Sequence, residues 1–83
     1  MNKNILKTLT DSLDIDDETL SEITSDTILF GPMSKMGFDS IDAMAYISGL
    51  RRDFDIPVET NIGLNQIITL SETEKWLTES KLI

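Results

Sequence analysis

The sequence predicts an all-α domain, a small four-helix bundle of three main helices and one short one. Three observations predict it. Apolar residues recur at helical spacing in three segments, helix-start signals precede two of them, and turn residues separate them. At 83 residues the chain makes one domain with a small core. With 40% hydrophobic but only 6% aromatic residues, that core must be mostly Leu, Ile and Met.

The first helix is expected over residues 3–13. Leu6, Leu9 and Leu13, with Ile5 beside them, form one side, and Lys3, Lys7 and Asp11 the other. Asp14 to Glu18 reads as an acidic break, and Leu20 and Ile23 fit a helical turn after it. Residues 24–39 read as a long loop. Gly31-Pro32 is a turn dipeptide, Gly37 is a second flexible point, and the triplet Ile28-Leu29-Phe30 supplies an apolar anchor.

The second main helix should begin at Ser40. Asp39 suits the N-cap, and Asp42 falls at the third helical position, where a carboxylate can reach back in a capping box. Ile41, Met44, Ile47, Leu50 and Phe54 follow at spacings of three and four, with Ala43 and Tyr46 widening the apolar face. Pro57 is expected to end the helix, because the residue before a proline is pushed out of the helical region. Gly63 limits residues 58–66 to a short helix. Thr69 and Glu72 then mark the start of the last helix, whose apolar side carries Leu70, Thr73, Trp76 and Leu77.

Composition narrows the function. Seven Lys and Arg face fifteen Asp and Glu, a net charge of −8, which disfavours nucleic acid and anionic membranes as partners. Cys and His are both absent, which excludes disulfides, thiolate catalysis, His-dependent triads and Cys or His metal ligands. A calcium loop starting at Asp14 would need Gly and Glu where the chain has Thr19 and Ser25. The first residues are too polar for a signal peptide, and no apolar run approaches a membrane span. A soluble, cytoplasmic, monomeric protein without membrane insertion is expected.

The segment Gly37-Phe38-Asp39-Ser40-Ile41-Asp42 places one hydroxyl in the first turn of a helix, after a flexible loop. A side chain there is accessible to another enzyme. Free backbone N–H groups and the helix dipole should favour a phosphate at that end. With no His or Lys nearby in sequence, Ser40 is a poor nucleophile by itself, and it suits modification by another protein. Taken alone, Asp-Ser is usually an inert helix start.

The wider pattern resembles the acyl carrier protein family. Gly37, Asp39, Ser40 and Ile41 match its modification motif, followed by Asp53, Phe54 and Ile56. Asp26, Leu29 and Phe30 precede it, and Ile68, Thr69 and Leu70 follow, so the resemblance spans nearly the whole chain. It implies a single carrier domain over residues 1–83 that is not itself an enzyme. Ser40 would carry 4′-phosphopantetheine from coenzyme A, with Asp39 and Ile41 beside it. The arm would hold acyl groups as thioesters for fatty acid, polyketide or related specialised lipid biosynthesis. Partners implied are a phosphopantetheinyl transferase and acyl-loading, condensing or acyltransferase enzymes, meeting Asp42, Ile41, Met44 and Ser48. Ile41 is expected on the surface, while Met44 fits either core or surface. A peptidyl or aminoacyl carrier, and an unmodified helical interaction module, are the alternatives.

The chain departs from the family in charge. Its second main helix is neutral, with Asp42 and Asp53 against Arg51 and Arg52, whereas seven acids and no base lie between Asp11 and Asp26. Arg51 and Arg52 also suit the negative end of the helix dipole. The stretch between Phe30 and Gly37 is longer than in the simplest members, which points to a specialised carrier.

Overall fold

A computed structural model describes residues 2–83. It is a small all-α bundle of α1 (Lys3–Leu13), α2 (Asp17–Ser21), α3 (Ser40–Asp53) and α4 (Leu70–Glu79), with a 3-10 helix at Leu64–Gln66. Helix α1 packs chiefly on α3 and also on α4. Ile5 and Leu9 of α1, Tyr46 and Leu50 of α3, and Leu70 and Leu77 of α4 are fully buried between them.

Helix α1 starts where expected, with the Asn2 side chain accepting from the Asn4 N–H at 2.8 Å. It ends at Asp14, whose φ of 51° is left-handed. The acidic break is shorter than the sequence suggested. Asp16 caps α2 by accepting from the Thr19 N–H at 2.8 Å, and that bond holds the Asp16 carboxyl below its ordinary pKa. Asp17 and Glu18 belong to the first turn of α2, where carboxylates complement the helix dipole.

The loop before α3 is pinned at both ends. Leu29 and Phe30 are buried, whereas Ile28 is 38% exposed, so two of the three triplet residues serve as the anchor. The Leu29 N–H donates to the Ile68 carbonyl at 2.8 Å, and the Gly31 N–H donates to the Phe38 carbonyl at 3.2 Å. The Ser34 hydroxyl donates to the Leu29 carbonyl at 2.6 Å and accepts from the Phe38 N–H. Gly31 and Gly37 take φ values of 93° and 74°, which glycine adopts without steric cost. The Phe30 ring packs between those of Phe38 and Tyr46, with centroids 6.3 and 5.8 Å away.

Helix α3 stops before Pro57 is reached. Asp55 turns left-handed at φ 53°, and the Ile56 N–H donates to the Arg51 carbonyl at 3.1 Å, closing the helix end. Pro57 is therefore not the terminator. The buried side of α3 is Ala43, Tyr46, Gly49 and Leu50. Ile41 lies outside it on the surface, as expected, and so does Met44, whose place the sequence left open. Trp76 of α4 is half-buried against the core. The Thr69 hydroxyl caps α4 by accepting from the Glu72 N–H at 3.0 Å.

At Gly49, α3 lies close against α1. A Cβ there would overlap Ser12 Oγ and lie 3.2 Å from Thr8 Cγ2. Ser12 Oγ is itself buried without a hydrogen-bond partner among the described residues. Removing that hydroxyl in Ser12→Ala should raise stability by about 1 kcal/mol. Gly49→Ala should lower it by about 1 kcal/mol, overpacking outweighing the gain in helix propensity. In the double variant most of that loss should disappear. Urea unfolding midpoints of the four proteins check this, and equal penalties in both backgrounds would contradict the close approach.

Tyr46, the only tyrosine, donates its buried hydroxyl to Thr73 Oγ1 at 3.0 Å, and Thr73 Oγ1 donates to the Thr69 carbonyl at 3.1 Å. Burial pushes the phenol from 10.0 up to about 12, and the bond to Thr73 offsets this only in part. A raised folded value means that the associated stability is whole below pH 10 and is lost as pH rises toward 12. Spectrophotometric titration should therefore place tyrosinate formation near 12 in the folded protein, and Tyr46→Phe should remove this part of the alkaline destabilisation.

Candidate functional site

The candidate site is the start of α3. The pinned loop delivers Asp39 in an extended conformation, φ −109° and ψ −169°, and the helix begins at the next residue. Asp39 Oδ1 accepts from the Ile41 N–H at 3.0 Å and from the Asp42 N–H at 3.1 Å. Asp42 Oδ2 accepts from the Asp39 N–H at 3.0 Å. Both halves of the expected capping box are thus present. The Ala43 N–H donates to the Asp39 carbonyl at 3.0 Å, the first turn of the helix itself.

Ser40 sits inside this frame and takes no part in its side-chain bonds. It is exposed. A hydroxyl in this position is held by the backbone on either side while its oxygen remains open to an approaching active site. The structure brings Asp39, Ser40, Ile41 and Asp42 together in one turn and places Met44 and Ser48 on the row that continues from Ser40 at intervals of four. Ile41 is 74% exposed and Met44 67%, which settles Met44 as a surface residue.

One expectation about this end requires correction. The free N–H groups anticipated as a phosphate cradle are largely used up, because carboxylates already accept from the amides of Asp39, Ile41 and Asp42. Only the Ser40 amide stands outside these bonds. The Asp39 and Asp42 carboxylates lie in the same turn as the hydroxyl and disfavour an anion held against this helix end.

The other charges of α3 are also engaged. The Arg51 guanidinium donates to the Pro57 and Thr60 carbonyls, each at 2.8 Å, and so fastens the segment that follows the helix. Arg52 Nε donates to Asp53 Oδ1 at 2.9 Å, while Asp53 Oδ2 accepts from the Thr8 hydroxyl at 2.6 Å. The Arg52 guanidinium and then the Thr8 hydroxyl hold the Asp53 carboxyl below its ordinary pKa. Sequence placed Arg51 at the dipole end, but nothing local signals its grip on carbonyls six and nine residues ahead.

Two open grooves of about 460 and 380 Å³ mark the surface. The larger runs between Thr8 and Asp11 of α1 and Arg52 and Asp53 of α3. The smaller passes Thr27, Ile28 and Met33 of the loop. Ser40 lines neither of these grooves and is exposed. Among the described residues no cluster of three acidic side chains is placed to hold a metal ion, and no helix is long and apolar enough to cross a membrane.

If the Asp39 carboxylate fixes the helix start, Asp39→Ala should cost about 1 kcal/mol, whereas Asp39→Asn, an equally good cap, should cost a few tenths at most. Thermal or urea unfolding checks this, and equal losses would show that charge and not capping geometry matters. Compared with protein-family models, with curated proteins and with solved structures, the chain finds no match.

Proposed function

We propose that the protein is an acyl carrier, modified at Ser40 with 4′-phosphopantetheine and used by enzymes that load, extend or transfer acyl groups. The observation that carries this reading is the exposed Ser40 hydroxyl, held at a rigid helix start and unused by the fold. The resemblance of Gly37, Asp39, Ser40 and Ile41 to the carrier motif supports the same reading.

Ser40 Oγ would form a bond to the pantetheine-bearing phosphorus of coenzyme A. The pyrophosphate P–O bond breaks, 3′,5′-ADP leaves, and the serine proton passes to a base of the transferase. The chain has no His to serve as that base, and Asp39 Oδ1 and Asp42 Oδ2 are engaged in holding backbone N–H groups at the helix start. The chemistry therefore belongs to the partner, and this chain contributes a fixed nucleophilic oxygen. The bound arm supplies a thiol that holds an acyl group as a thioester, which a chain without cysteine cannot provide itself. Asp39 and Asp42 orient the turn and disfavour the anionic linkage being held against this helix end. Tethering raises the effective concentration of the acyl group, to the mM range for a short flexible link.

Intact mass after incubation with coenzyme A and a broad-specificity phosphopantetheinyl transferase tests the reading. One phosphopantetheine should be gained by the wild type and none by Ser40→Ala. Unchanged wild-type mass with several such transferases would favour a helical interaction module presenting Ile41 and Met44. Loading of the modified protein with acyl rather than aminoacyl donors would separate it from a peptidyl or aminoacyl carrier.

A further inference from the structure

We propose that the loop before α3 holds a docking groove for a partner protein, one that takes an exposed segment in which an apolar side chain stands between a basic and an acidic residue. Ser40 does not line this groove, so the proposal goes beyond the carrier reading and does not rest on it.

The smaller groove, of about 380 Å³, gathers the apolar side chains of Ile28 and Met33 with three charged ones. Ile28 is 38% exposed and Met33 73%, while the core takes Leu29 and Phe30 from the same stretch. Exposed apolar side chains brought together in a concavity mark a contact surface, and the flexible thioether of Met33 can follow a partner's shape. Glu22 and Asp26 reach the groove from the segment before Leu29, and Lys35 reaches it from the segment after Phe30. All three are exposed, and the two ion pairs among the described residues, Lys7–Asp11 and Arg52–Asp53, involve none of them. Asp26 accepts from the Ser71 hydroxyl at 3.4 Å, a long bond that leaves its charge uncompensated. These charges are free to select a partner. A purely acidic segment meets Glu22 and Asp26, and a purely basic one meets Lys35, so like charges disfavour both. A segment carrying both signs, with its apolar side chain against Ile28 and Met33, satisfies all three. The two segments that form the groove are already fixed. The Thr24 N–H donates to Thr27 Oγ1 at 2.8 Å, and the Ser71 N–H of α4 donates to the Ser25 carbonyl at 3.0 Å. After Phe30, the Ser34 N–H donates to the Gly31 carbonyl at 3.0 Å and the Ser34 hydroxyl to the Leu29 carbonyl at 2.6 Å. Little ordering of this chain is then needed on binding.

The test selects a random peptide library, displayed on phage, against the full-length wild-type protein at physiological salt. Enriched peptides should share an apolar residue flanked by a basic and an acidic one. The tightest of them should shift the amide resonances of residues 22–28 and 33–35 in the labelled protein. Met33→Ser should weaken its binding about tenfold or more and Lys35→Glu about threefold or more. Both variants should keep the wild-type melting temperature, because both side chains are exposed. Ser40→Ala should bind the peptide as the wild type does. Enriched peptides of a single charge sign, resonance shifts centred elsewhere (the start of α3 included), or equal binding by Met33→Ser would each overturn the proposal. So would a library that yields no peptide preferring the wild type over Met33→Ser. None of these results bears on modification of Ser40, which the mass measurement decides separately.

Discussion

The reciprocal hydrogen bonds between Asp39 and Asp42 are the constraint on which the rest of the molecule depends. Without them the chain arriving from a long loop would have no fixed point at which to become helical. The loop has little regular structure, and only its pinned ends bring Asp39 into register. Phe38 pairs with Phe30, Gly31 and Gly37 turn the backbone, and Ser34 ties the interior of the loop to Leu29. Once Asp39 is placed, Tyr46 and Leu50 fall into the core and Ser40 is directed outward. The same few bonds therefore fix the central helix and leave one hydroxyl unused.

The packing of α3 explains why its outer surface is quiet. Its inner side is a tight seam, with Gly49 against α1 and Tyr46 bonded through Thr73 to the start of α4. Its charged side chains are turned to internal tasks at the two ends. The guanidinium of Arg51 reaches forward to hold residues 57 and 60, and the Arg52–Asp53 pair meets Thr8 of α1. Ile41, Met44 and Ser48 are left as the free surface beside Ser40, on a protein whose excess of negative charge lies largely elsewhere.

Local signals were enough wherever a short-range interaction decides the structure. The bounds of α1, the capping box at Asp39 and Asp42, the cap at Thr69 and the turns at Gly31 and Gly37 could all be read from neighbouring residues. Reading failed where distant partners decide. Spacing left Met44 open between core and surface, and α1 and α4 decide it by selecting the side carrying Ala43, Tyr46 and Gly49. Pro57 looked like the terminator of α3, whereas a left-handed Asp55 ends it earlier, a conformation that no local rule demands of aspartate. Asp17 and Glu18 looked like part of a charged break because a helix as short as α2 shows no periodicity. The exposed first-turn position of Ser40 was readable because the signals that start the helix are local. The fate of the amides around it was not, since it depends on which carboxylate oxygen faces which N–H.

Amide hydrogen exchange at the start of α3 tests the central claim most directly, because it reports each N–H separately. The account predicts slow exchange at Ile41 and Asp42, whose amides Asp39 accepts, and fast exchange at Ser40 in the same turn. Equally fast exchange at all three residues would mean that the helix start is not held, and that the hydroxyl is presented by a fraying end instead of a fixed one.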